Sequence, residues 1–165
     1  MKKSLVLLFS LLCLLSCKKS DDYIVVGDDI PSFVLHSDVA GSVSSEDLKG
    51  DVTMLFFFAT WCGPCQQELA AVQERLLPMF EGKDDFRLLV VGREHTQEEL
   101  SEYNQTKGFT FPLYPDVNRE VYSKFAKQTI PRAYLIDKDG KVVDFAVGYD
   151  AEHFDSMCDK ALELL

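Results

Sequence analysis

Positive charge is scarce in this chain of 165 residues. Its 17 Lys and Arg stand against 27 Asp and Glu, for a formal net charge of −10. Phosphate binding needs clustered Lys and Arg, and no such cluster occurs, so nucleic acid is excluded as a partner class. Long apolar runs are also missing. The one candidate, Ser4 to Ser16, is shorter than the ~20 residues a spanning helix requires. Cysteine is sparse, with 5 residues, too few for a disulfide scaffold. The histidines His36, His95 and His153 are scattered. Cys62 and Cys65 therefore find no second ligand pair with which to close a zinc site. There is no internal repeat and no compositional bias of the fibrous or low-complexity kind. What is abundant is apolar material: 47% of residues, including 12 Phe, 6 Tyr and 1 Trp. That is enough to build a core, excludes disorder for most of the chain, and fits one domain with at most a short appendage.

The appendage is N-terminal. Met1-Lys2-Lys3 is a short positive start, and the apolar run after it has the length of a secretory leader. The run ends Leu14-Leu15-Ser16-Cys17, which resembles the lipobox of bacterial lipoproteins. The resemblance implies cleavage before Cys17, lipidation of Cys17, and an exported protein held at the bacterial cell envelope. The plainer readings are an ordinary signal peptide with an incidental cysteine, or an uncleaved anchor. We expect residues 1–16 to be the leader, 17–26 a tether, and 27–165 the folded domain. Cys13 would leave with the leader, and Lys18 to Asp22 reads as polar tether. A net-negative body repels anionic lipid, so acyl chains rather than a basic surface would hold the membrane.

Within the domain, Ile30–Leu35 reads as extended, and Gly41–Val43 as part of a hairpin running into a helical turn at Ser45–Leu48. Val52–Ala59 is apolar without alternation, which suits a strand covered on both faces. From Pro64, the residues Cys65, Leu69, Val72, Leu76 and Phe80 recur at helical spacing, with Pro78 expected to end or kink the last turn. Phe86–Val91 is a second buried strand. Thr96 and Glu99 form a capping box for a helix that runs to Lys107 and stops at Gly108. A short helix is expected at Asn118–Ala126, then strands at Ala133–Ile136 and Val142–Val147 joined by the Asp137–Gly140 turn, and a last helix at Ala151–Leu165. On that helix Cys158 shares an apolar face with Phe154, Met157, Ala161 and Leu162, and reads as a core thiol. Alternating strands and helices, then a hairpin, predict an α/β fold with a mixed central sheet, helices on both faces and a small N-terminal β extension.

The chemistry lies at the junction between the first buried strand and its helix, in Thr60-Trp61-Cys62-Gly63-Pro64-Cys65. Two cysteines in this spacing can close a small disulfide ring and reopen it. The first thiol falls at a helix N-terminus, where unpaired N–H groups and the dipole favour a thiolate. Such a thiolate attacks a substrate disulfide, and the second thiol resolves the mixed disulfide. Pro64 suits the first helical turn, where no N–H is needed.

With Phe56 to Glu68, Thr129-Ile130-Pro131, Tyr134 to Lys141 and Gly148, the chain resembles the thioredoxin superfamily over residues 27–165. It is most similar to the TlpA/ResA-like membrane-anchored thiol–disulfide oxidoreductases. The resemblance implies a thioredoxin-like fold and a protein-disulfide reductase with Cys62 as nucleophile and Cys65 as resolving thiol. Trp61, Gly63, Pro64, Ile130, Pro131 and Arg132 would flank the substrate, with Pro131 as a cis-proline facing the cysteine pair. No metal or organic cofactor is implied. Partners would be disulfide-containing proteins and a membrane thiol–disulfide electron donor, and the protein would be a monomer. Thioredoxins carry a buried Asp where this chain has Phe56, which cannot relay a proton; Glu68, three residues beyond Cys65, matches the ResA-like acid instead. Arg132 replaces a small polar residue, and either favours the Cys62 thiolate or points into solvent. His95, after the second buried strand, either tunes the substrate or a pKa at the active edge or, the plainer reading, is a solvated loop residue.

Three rivals remain. A cytochrome c maturation thioredoxin usually shows Gly-Val-x-Gly near the cis-proline, which Ala126-Lys127-Gln128-Thr129 lacks. A peroxiredoxin-type peroxidase needs Pro-x-x-x-Thr-x-x-Cys, but residues 55 and 59 are Leu and Ala. A redox-inert binding module on the same fold would not need both cysteines.

Overall fold

The computed structural model describes residues 21–165; the expected leader, Cys17 and the first tether residues lie outside them. The chain opens with an antiparallel hairpin, β1 (Val34–Ser37) and β2 (Gly41–Ser44), followed by a 3-10 turn at Ser45–Leu48. Then come β3 (Val52–Phe58), α1 (Gly63–Ala71) and a π turn (Val72–Leu76) that leads into α2 (Leu77–Met79). Next are β4 (Phe86–Arg93), α3 (Gln97–Lys107), β5 (Leu113–Asp116) and α4 (Tyr122–Phe125). The hairpin β6 (Arg132–Ile136) and β7 (Val142–Val147) and the helix α5 (Ala151–Glu163) complete the fold. Among the described residues no helix is long and apolar enough to cross a membrane.

Five strands form one sheet in the order β5-β4-β3-β6-β7. The pairs β3–β4 and β4–β5 are parallel, whereas β3–β6 and β6–β7 are antiparallel. The unbroken apolar run of β3 has the expected cause. Val52, Met54, Phe56 and Phe58 enter one core, and Leu55 and Phe57 enter the other. The first core lies under α1 and α5; the second lies under the β1–β2 hairpin and α4. Each Phe or Leu so placed contributes about 1.5–3 kcal/mol by leaving water, which makes β3 the strand least able to shift.

Two elements differ from expectation. β5 was hidden because it is four residues long and contains Pro115. A proline cannot donate to a ladder, so it is tolerated only on an edge, and β5 pairs with β4 alone within the sheet. The helix expected at Asn118–Ala126 is only Tyr122–Phe125. Arg119 sits in the left-handed region at φ 59°, which no α-helix admits, and the Asp116 carboxylate takes the Val121 and Tyr122 N–H groups instead. Pro78 acts as expected: the helix widens into a π turn just before it and stops at Met79.

A third difference concerns the tether. Asp21 and Asp22, expected within the polar tether, are docked. The Asp21 carbonyl accepts from Lys127 N–H, Asp22 bridges to Ala126, and Tyr23 N–H donates to the Phe125 carbonyl.

Candidate active site

β3 ends at Phe58, and the chain turns through Ala59-Thr60-Trp61 into α1. Cys62 is the N-cap of α1, with extended φ and ψ of −88° and 110°. Its Sγ accepts from Cys65 N–H at 3.3 Å, the hydrogen bond a capping side chain makes with an unpaired donor of the first turn. Pro64 lies in that turn, where its missing N–H costs nothing. Cys62 and Cys65 are joined as a disulfide. Cys62 retains 7% exposure and Cys65 none, while the neighbouring Trp61 is 68% exposed. The accessible edge of the pair is thus the Cys62 side, beside a large open aromatic.

The loop before Cys62 is held by two side chains. Gln66 Nε2 donates to the Thr60 carbonyl at 2.8 Å, and Thr60 N–H donates to His95 Nε2 at 3.0 Å. His95 is therefore not a solvated loop residue. It is buried, accepts through Nε2, and turns Nδ1 to 3.5 Å from the Glu99 carboxylate. Nearby, Leu100 of α3 packs against Gly92 of β4. A Cβ on Gly92 would come within 2.6 Å of the Leu100 side chain, so a larger residue there would make Leu100 shift.

Glu68 lies one helical turn beyond Cys65 and is buried, with 1% exposure. Its Oε2 has no hydrogen-bond partner among the described residues. Burial without a compensating charge pushes its carboxyl up to about 8. An exposed helix glutamate would show neither property. Phe56 occupies the strand position from which thioredoxins use an Asp, and packs in the same core as both cysteines.

The Ile130–Pro131 peptide is cis, as the resemblance implied. Its loop is clamped on several sides. Tyr122 Oη and Arg132 Nε both donate to the Thr129 carbonyl, at 2.7 and 2.9 Å. Thr129 N–H donates to Asp21 Oδ2 at 3.0 Å. Arg93, at the C-terminal end of β4, donates to the Gln128 carbonyl and lies over the Trp61 ring, 5.9 Å from its centroid. Arg93 thereby links the cysteine loop to the proline loop. Its place at the C-terminal end of a parallel strand was the available signal.

Arg132 obeys neither expectation. It is fully buried, and its strand partner is Phe57, so it faces the second core, away from the core that holds Cys62. Its guanidinium pairs with Asp22 and, at 2.6 Å, with Asp21. Burial would raise the Asp21 carboxyl, but hydrogen bonds from Thr129 and Arg132 outweigh it and hold the group at about 2. The docked Asp21 and Asp22 supply the countercharges that let an arginine be buried. Cys158 is a free, buried thiol, pushed up to about 12 mainly by burial, and takes no part in the site.

A strand–turn–helix with a helix-capping cysteine pair, joined through Arg93 to a loop that carries a cis-proline, defines a thioredoxin-like thiol–disulfide oxidoreductase. The comparisons with known proteins agree. Residues 26–145 match the family described as AhpC/TSA, and the chain belongs to that family, as a ResA-like member of the thioredoxin superfamily. The thiol–disulfide oxidoreductase ResA of Geobacillus thermodenitrificans is 32% identical over 126 residues, covering 76% of this chain and 71% of that protein. The solved structure of a candidate protein disulfide isomerase from Bacteroides thetaiotaomicron superposes with a TM-score of 0.83 at 28% identity, covering 88% of this chain and 92% of that one. The exposed lipoprotein thioredoxin Etrx1 of Streptococcus pneumoniae superposes with a TM-score of 0.63 at 26% identity, covering 81% of this chain and all of that one.

Proposed function

We propose that this oxidoreductase is a lipid-anchored reductase of protein disulfides at the cell envelope, fed with electrons by a membrane thiol–disulfide carrier. Cys62 is the nucleophile. Its thiolate, held at the α1 N-terminus, attacks one sulfur of a substrate disulfide and expels the other as a thiolate, which takes a proton from water. Cys65, freed of its proton by the Glu68 carboxylate, attacks Cys62 Sγ. The second substrate thiol leaves, and the Cys62–Cys65 disulfide is formed. Two electrons have passed to the substrate, and the carrier restores the dithiol.

The observation that carries this reading is the contrast within α1: a partly open cysteine at the cap, and a sealed cysteine with a sealed, unpaired carboxyl one turn further in. Burial raises a thiol's pKa, so the inner cysteine benefits from a base whose own pKa lies close to neutrality. Exposed Trp61, with Ile130 and Pro131, would take the substrate backbone. Gly63 and Pro64 shape the first turn. Lipidation at Cys17 is supported by the Leu14-Leu15-Ser16-Cys17 run and by likeness to an exposed lipoprotein thioredoxin.

Insulin reduction by dithiothreitol, with and without the protein, tests the activity; no acceleration would sink it. Cys65→Ser should trap substrates on Cys62 as mixed disulfides, and Cys17→Ala should abolish lipid labelling. Gly-Pro between the cysteines matches thioredoxin, whose potential is about −270 mV. Equilibration in glutathione buffers should give a value near it, whereas one near the −120 mV of DsbA, roughly, would make the protein an oxidant.

A further inference from the structure

Cys62 is presented by a four-residue turn. Its N–H donates to the Ala59 carbonyl at 3.1 Å, so Ala59-Thr60-Trp61-Cys62 closes between β3 and α1. That closure uses neither the N–H nor the carbonyl of Thr60. Both are taken by side chains from outside the turn. Gln66 holds the carbonyl at 2.8 Å and is itself held by Lys107 Nζ at 3.0 Å. His95 Nε2 holds the N–H at 3.0 Å.

The two holds differ chemically. The Gln66 amide donates at every pH, whereas an imidazole nitrogen accepts only while it carries no proton. His95 is therefore a neutral ring with its proton on Nδ1. That nitrogen is buried, makes no hydrogen bond among the described residues and lies 3.5 Å from Glu99 Oε2. The residue is fixed in place: its own N–H donates to the Gly92 carbonyl at 3.3 Å, and the next residue, Thr96, caps α3. The groups around the ring come from three sides. On α3, Glu99, Glu102 and Tyr103 line one recess with it. At the end of β4, Arg93 is engaged by the Gln128 carbonyl and Glu94, and Glu94 by Arg93 and Arg119. β3 contributes the uncharged ring of Phe58, 6.4 Å away. A second proton on the imidazole would leave Nδ1 facing Glu99 but set an N–H against the Thr60 N–H.

We propose that His95 is a positioning residue for the thiol–disulfide reaction: its neutral Nδ1–H form fixes Thr60, and with it the Cys62 sulfur at the α1 cap, and a proton on Nε2 releases the turn. This inference rests on Cys62 as the nucleophile. A released turn lets Sγ drift from the Cys65 N–H that it caps, and a reacting atom misplaced by about 1 Å can cost on the order of a hundredfold in rate. The loss adds to the ordinary loss of thiolate in acid, and a non-titrating acceptor in place of the imidazole separates the two.

The test uses the full-length chain as the parent, His95→Gln and His95→Leu. The glutamine carbonyl accepts the same N–H and carries no proton at any pH. Nitrogen NMR of the oxidised parent at pH 8 should show His95 Nε2 bare and Nδ1 protonated; a proton on Nε2 overturns the proposal. Thr60 amide exchange is read between pH 5 and 8 as the ratio of parent to His95→Gln, in which the intrinsic pH dependence cancels. The ratio should be near one at pH 8 and rise at pH 5 by at least about fivefold, the worth of one hydrogen bond. In reduction of a disulfide substrate, kcat/KM of His95→Gln should equal the parent's at pH 8 and exceed it at pH 5. His95→Leu, if its urea melt shows it folded, should be about tenfold slower at pH 8; if it does not fold, the parent and His95→Gln decide alone. A flat exchange ratio, or a folded His95→Leu that turns over like the parent, overturns this proposal alone. So does a His95→Gln slower than the parent at pH 5, which would make the imidazolium a thiolate-stabilising charge. No turnover by the parent overturns the proposed reductase and this proposal with it.

Discussion

Glu68 and Cys65 are three residues apart on α1, and both are sealed from solvent, at 1% and 0% exposure. A carboxyl one turn along a helix from a thiol shares its face, and here that face belongs to the core containing Phe56 and Phe154. A buried carboxyl thus stands on the helix, whereas the strand position carries Phe56.

This relationship predicts how the cycle fails. Glu68→Gln should fold and still form mixed disulfides through Cys62, but their resolution should slow by roughly ten- to a thousand-fold, the range of a missing general base. Stopped-flow turnover of a disulfide substrate between pH 6 and 9 checks it. Superimposable curves for the two proteins would leave Cys65 to water.

The same carboxyl sets a stability cost that depends on pH. Its folded pKa, about 8, lies above the ordinary 4.5. The protonated form therefore suits the fold, and the full stability is present below pH 4.5 and lost as pH rises toward 8. Glu68→Gln, which removes the charge, should stabilise the oxidised protein at pH 8 by an amount on the order of a few kcal/mol. The gain should vanish near pH 4. Urea melts at both pH values measure it, and an equal gain at both would show that charge burial is not the cause.

Arg132 should be the most sensitive ion pair. Replacing Asp21 and Asp22 together by Asn leaves a fully buried guanidinium without countercharge, which costs about 3–5 kcal/mol. Asp21 also carries an acid dependence. Its folded pKa of about 2 lies below the ordinary 3.8, so its contribution is present above pH 3.8 and fades as pH falls through 2. Acid unfolding of Asp21→Asn should lack that component. An unchanged urea midpoint in the double variant would refute the burial argument.

His95→Leu should remove the acceptor for the Thr60 amide while filling the space. A buried donor left unpaired costs about 1–3 kcal/mol. The Thr60 amide should exchange with deuterium faster than in the parent, with amides of β3 unaffected. Protection retained at Thr60 would mean that Gln66 alone holds the loop.

Much of this was legible along the chain because the cause was local. The capping box Thr96–Glu99 and the stop at Gly108 delimit α3 at both ends as expected. The apolar run of β3 reports a strand covered on both faces, and the spacing of Cys65, Leu69, Val72 and Leu76 reports the buried side of one helical segment. Cys62 and Cys65 announce a redox pair because three residues at a helix start bring two sulfurs within bonding reach. These are statements about neighbours in sequence, and the dihedral and periodicity rules that govern them act over a few residues.

What the tertiary structure alone decided involves partners far apart in the chain. Arg132 is read wrongly without Asp21 and Asp22, more than a hundred residues away, because whether an arginine is buried depends on the charges brought to meet it. His95 reads as loop until the Thr60 amide, 35 residues distant, is seen to need an acceptor. β5, with its proline, becomes a strand only because β4 offers it an edge. Composition and motif determined the class of chemistry. The burial of Glu68, the clamp on the proline loop and the place where the tether joins the body follow from long-range packing, whose energetics no window of the sequence contains.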